Sequence, residues 1–61
     1  MNKAIFSGNW DMIKGKLKQK YANLTDDDLM YTEGREDETL GRIEKKLGKS
    51  RQELEKIIRG L

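Results

Sequence analysis

Five lysines and three aspartates are the residues of this chain most open to a chemical role. Lys14, Lys16, Lys18 and Lys20 alternate along one stretch with Lys3 upstream, and Lys49 sits in the turn-like run Leu47-Gly48-Lys49-Ser50. Clustered lysines attract phosphates, so Lys14, Lys16, Lys18, Lys20 and Lys49 are the candidate contacts for a weak, salt-sensitive interaction with nucleic acid. Two considerations oppose that reading. Alternate positions on a helix spread around its polar side instead of forming a stripe, and Asp26, Asp27 and Asp28 follow closely enough to cancel part of the field. Lys49, together with the free amides of a helix beginning just after it, is suited to hold a phosphate. An ordinary corner between two helices accounts for the same residues. The aspartates do not form a calcium loop, whose acids alternate around a glycine; here they are consecutive, and helix capping explains them.

Catalytic chemistry has little to draw on. The chain contains neither Cys nor His, which removes the usual nucleophile–base pairs, the usual general base near neutral pH and the commonest zinc ligands. A pair of carboxylates acts as acid and base only in a cleft that desolvates it. A core built from 61 residues has little room for such a cleft. The expectation is a protein that is not an enzyme and has no metal, cofactor or small-molecule substrate.

The elements that position these residues can be read from apolar spacing. Trp10, Ile13, Leu17, Tyr21 and Leu24 recur at steps of three and four, which predicts a first helix from about Asn9 to Ala22 with its apolar side buried. Core packing is the expected role of Trp10 and Tyr21, whereas Phe6 reads as a staple or a partly exposed contact. Thr25 with Asp28 three residues later reads as a capping box opening a short second helix, stopped by Gly34. Leu40, Ile43 and Leu47 predict a third helix over about Arg35–Leu47, closed by Gly48. Ser50 with Glu53 is a second capping box, opening a fourth helix that carries Leu54, Ile57, Ile58 and Leu61.

The two halves resemble each other. Gly8 and Gly15 are spaced like Gly34 and Gly41, and Thr25-x-x-Asp28-Leu29 parallels Ser50-x-x-Glu53-Leu54. Two copies of a helical hairpin bury together the apolar faces that neither covers alone. A glycine inside a helix costs about 1 kcal/mol relative to Ala, so Gly15 and Gly41 suggest a close approach of the first and third helices.

Charged residues make up 39% and hydrophobic ones 34% of the chain, but the net charge is only +2 and the apolar residues are periodic, so a folded, marginally stable domain is expected over a disordered chain. Its ordered core should span about residues 7–60. The N-terminal run lacks the long apolar stretch of a signal peptide, and no segment approaches the roughly 20 apolar residues of a membrane helix. Cytoplasmic location and a monomeric state are the expectations. The first helix is also amphipathic and lysine-flanked, which suits an anionic membrane surface, although the bundle needs the same apolar stripe.

Gly8-Asn9-Trp10, Lys14-Gly15-Lys16, Leu24-Thr25-Asp26-Asp27-Asp28-Leu29, Glu33-Gly34, Gly41-Arg42-Ile43 and Gly48 form an ordered set that resembles the CsbD-like family of small bacterial proteins. The resemblance covers about residues 7–58. It implies an all-α fold, a small four-helix bundle of two crosswise-packed helical hairpins in a SAM-domain-like arrangement. It also implies expression under general stress, without supplying catalytic or ligand-binding residues. Thr32 departs from the family pattern, where Ile or Val is usual, and should hold the second helix more loosely.

Charge, glycine content and resemblance together point to a non-enzymatic general stress-response protein. It would act as a highly soluble protective protein or through an unidentified partner. The alternatives are a weak nucleic-acid-binding module and a helical protein-interaction adaptor that self-associates.

Overall fold

A computed structural model describes Phe6 and residues 8–61. Lys3, and residue 7 at the expected start of the ordered core, lie outside them. Three helices fall wholly within the described residues: α1 (Trp10–Lys20), α2 (Glu36–Leu47) and α3 (Arg51–Arg59).

Helix α1 buries Trp10, Ile13 and Leu17, the positions its periodicity selects. It ends at Lys20, two residues before the expected Ala22, where Tyr21 is extended and its N–H returns to the Leu17 carbonyl at 2.8 Å. Helix α2 begins with Glu36, Asp37 and Glu38 and ends with Lys45 and Lys46, each sign at the end of the helix dipole that favours it. Gly48 closes it at φ 66°, ψ 34°, a left-handed conformation that costs a residue with a Cβ about 1–2 kcal/mol. Helix α3 opens on a complete capping box: the Glu53 N–H donates to the Ser50 hydroxyl at 3.2 Å, and the Ser50 N–H donates to the Glu53 carboxylate at 2.9 Å.

The expected second helix does not form, and the fold is therefore not a four-helix bundle of two crosswise hairpins. The Thr25–Asp28 capping box is present: the Thr25 N–H and hydroxyl both donate to Asp28 at 3.0 Å, and the Asp28 N–H donates back to the Thr25 hydroxyl at 3.2 Å. One turn follows, with the Leu29 N–H on the Thr25 carbonyl and the Met30 N–H on the Asp27 carbonyl. The chain then runs on without helix to Arg35.

The physical reason lies in the acceptors. A continuing helix would offer the carbonyls of residues 27–30 to N–H groups four residues on. Side chains from elsewhere take them first. Arg42 Nη1 reaches the Asp27, Asp28 and Met30 carbonyls at 3.4, 3.3 and 3.0 Å. Trp10 Nε1 donates to the Leu29 carbonyl at 3.0 Å, and the Thr39 hydroxyl to the Met30 carbonyl at 3.1 Å. The segment from Thr25 to Gly34 is thus a strap fastened across α1 and α2. Thr32 is an exposed residue of this strap and holds no helix.

The core contains Phe6, Trp10, Ile13, Leu17, Leu24, Leu29, Leu40, Ile43, Leu54 and Ile58, with Tyr21, Tyr31, Leu47, Ile57 and Leu61 half-buried around it. Phe6 is a core residue: its ring stacks on Tyr31 with centroids 4.1 Å apart and leans on Trp10 at 4.5 Å. Gly15 and Gly41 do not bring α1 and α2 together as their positions suggest. A Cβ built on Gly15 or Gly41 meets nothing within 4 Å, so neither position marks a close approach of two helices. The two halves are not equivalent hairpins, because among the described residues a helix follows the Ser50 cap and none follows the Thr25 cap.

Candidate functional site

The α1 lysines separate into two pairs, since positions four apart share a side and positions two apart do not. Lys18 donates to Asp26 at 2.7 Å across the strap. Lys14 lies one turn earlier, on an open groove of about 510 Å³ that it lines together with Asp11, Asp26 and Asp27. Lys16 and Lys20 are exposed. Lys49 follows Gly48 and is half-buried beside the α3 cap, where its charge acts on Glu53. The five candidates therefore do not share one face. At the α3 end, the cap already uses the Glu53 N–H and the Ser50 N–H, and the Glu53 carboxylate occupies the place a bound phosphate would take.

The ionisable groups with displaced equilibria have local causes. The Lys18 hydrogen bond and charge hold the Asp26 carboxyl below its ordinary 3.8. Asp28 is lowered chiefly by the Thr25 N–H, and Glu53 chiefly by the Ser50 N–H. Arg51 is raised by its hydrogen bond to Glu44, with Asp37 accepting from Nη1 at 3.0 Å. Tyr31 is pushed up to about 12, first by donating to Glu36 at 2.8 Å and then by burial. Each carboxylate or guanidinium is more firmly charged, and the phenol more firmly neutral, than in water.

Sequence reasoning missed two residues that organise the surface. Arg42 is the principal clasp of the strap, and Glu36 anchors its end by accepting from both the Tyr31 hydroxyl and the Gly34 N–H. Gly34 takes φ 87°, which lets that N–H turn toward Glu36. The signal available for Arg42 was a cation directly beside the core position Ile43. Among the described residues, no group of three or more Asp, Glu, Cys or His is placed to hold a metal ion. None of the described helices is long and apolar enough to cross a membrane.

The sequence model of the CsbD-like family matches residues 4–56. The chain belongs to that family. Its relatives among curated proteins include a UPF0337 protein of Pectobacterium atrosepticum, 44% identical over 97% of this chain and 86% of the relative. The UPF0337 protein YjbJ of Escherichia coli is 41% identical over 95% and 84% respectively. A UPF0337 protein of Pseudomonas aeruginosa is 32% identical over 97% and 91%. No solved structure matches the chain. The CsbD-like match includes both capping boxes, the strap and Arg42, so the device that replaces the expected helix lies inside the family's own region.

Proposed function

We propose that this CsbD-like chain is a non-enzymatic general stress-response protein that acts as a soluble protective protein in the cytoplasm. What carries the reading is the direction in which its ionisable groups are displaced. Catalytic acids and bases are tuned toward the working pH, whereas Asp26, Asp28, Glu53, Arg51 and Tyr31 all move away from neutrality. Their partners are structural: caps, strap contacts and cross-helix ion pairs. The surface that results is densely charged with both signs. A small, strongly hydrated particle of this kind separates labile proteins as water is withdrawn, without binding them tightly.

The test is recovery of a desiccation-labile dehydrogenase after drying and rehydration, and after heating, with added protein at increasing mass ratio. Recovery above that given by an equal mass of an unrelated small protein is the expected result. Equal recovery from the two would defeat the reading. The same samples, sedimented at two concentrations, test the monomeric state.

A further inference from the structure

We propose that the seam between α2 and the strap binds the phosphate backbone of duplex nucleic acid, without reading sequence, through Arg35, Arg42, Lys45 and Lys46. These four cations, with Glu38 among them, follow steps of three and four, so they lie along one side of α2 and its N-cap. From Arg35 to Lys46 the helical rise gives a row about 16 Å long. The row borders two shallow concavities of about 210 and 350 Å³ that share Arg42. Arg35 and Glu38 line one, Lys45, Lys46 and Asp28 the other.

The carboxylates at this seam are already engaged. Glu38 accepts from Arg35 at 2.9 Å and faces Arg42 Nη2 at 3.6 Å. Asp28 accepts from Thr25 and faces Lys46 at 3.4 Å. Lys45 is exposed and has no ion pair among the described residues. Among the residues that line the two concavities, four cations against two carboxylates leave a net positive charge. On α1, by contrast, Lys14 and Lys18 meet Asp11, Asp26 and Asp27. The seam therefore differs from the α1 lysines as a polyanion surface in having its charges aligned and in excess.

The mode of contact favours a duplex. Single strands are held largely by stacking bases on aromatic faces, but Phe6 and Trp10 are buried and Tyr31 packs on Phe6. The seam offers charge alone, which is what a duplex backbone takes up. An anionic lipid surface would ask for an apolar wedge beside the cations, and here only Met30 is available, at 59% exposure.

The experiment is fluorescence anisotropy with a short labelled duplex DNA of mixed sequence. About two neutralised phosphates predict an affinity that falls about tenfold between about 50 and about 200 mM salt. Lys45→Glu breaks no ion pair and should weaken binding at the lower salt by about tenfold, the counterion term of one phosphate. Lys16→Glu makes the same charge change on α1 and should leave affinity within about twofold. Circular dichroism confirms that both variants remain folded. The proposal is overturned by absence of binding at low salt, by binding indifferent to salt, or by equal weakening from Lys16→Glu, which would mean that net charge alone is read. Lys45-dependent binding to vesicles of phosphatidylglycerol and phosphatidylcholine, with none to the duplex, would overturn it in favour of a membrane.

Discussion

Thr25-x-x-Asp28-Leu29 and Ser50-x-x-Glu53-Leu54 begin alike and end differently. Each closes a reciprocal capping box, and each buries its leucine completely, Leu29 and Leu54 both at 0% exposure. After Ser50 the chain continues for nine helical residues; after Thr25 it makes one turn and becomes the strap. A capping box therefore sets where a helix starts and says nothing about how far it runs. Length is decided downstream. Beyond Leu54 come Glu55, Lys56, Ile57 and Ile58, which continue an amphipathic helix. Beyond Leu29 and Met30 come Tyr31, Thr32 and Gly34, poorer helix formers, and the carbonyls of this stretch are claimed by Arg42, Trp10 and Thr39.

If the buried leucine is what the two motifs share, Leu29→Ala and Leu54→Ala should cost alike, about 2–5 kcal/mol each in chemical denaturation. A small loss at Leu29 alone would show that the strap is not part of the core. Next in size is Arg42→Met, which keeps the aliphatic stem and removes the clasp. It should cost about 2 kcal/mol, and amide exchange should accelerate across residues 25–33 before it does in α3. Uniform acceleration would mean that Arg42 supports the whole fold and not the strap in particular.

The glycines and caps give smaller effects. Gly15→Ala and Gly41→Ala should each stabilise by up to about 1 kcal/mol, because helix propensity improves and nothing lies within 4 Å of the new Cβ. Gly48→Ala should lower the melting temperature, because φ there is +66°. Ser50→Ala should cost about 1 kcal/mol, and Thr25→Ala about half as much, since less helix depends on that cap.

The smallest effect is a pH dependence. The folded-state pKa of Tyr31 is raised from 10.0 to about 12, so its contribution to stability is intact below pH 10 and is lost as pH rises toward 12. The phenolate formed there would face the Glu36 carboxylate. The measure is the difference from Tyr31→Phe: the native melting temperature should fall more steeply with pH than that of the variant. Parallel slopes would remove the Tyr31–Glu36 bond from the account. At the acid end, Asp26, Asp28 and Glu53 have lowered pKa values. Their contribution is present above the ordinary carboxylate range and is lost as pH falls through the folded-state values.

Much of this was legible in the residues and some was not. The core positions of α1, α2 and α3, the αL glycine after α2 and both capping boxes follow from spacing and local chemistry alone, because each depends on neighbours within one or two turns. The family was legible for a related reason: its pattern consists of those same local signals. The candidate lysines were legible as charges but not as an arrangement, since their pairing with Asp26 requires the strap to lie across α1.

Sequence alone thus determined where helices begin, which side of each is buried and that two turns are capped by side chains. Tertiary structure decided that the capped turn at Thr25 would not become a helix, that Phe6 would enter the core through Tyr31, and that Gly15 and Gly41 would face open space. The reason is the range of the interactions. Arg42 and Trp10 reach the strap carbonyls from residues 12 to 19 positions away in the chain, and no local periodicity records which carbonyl a distant guanidinium or indole will claim.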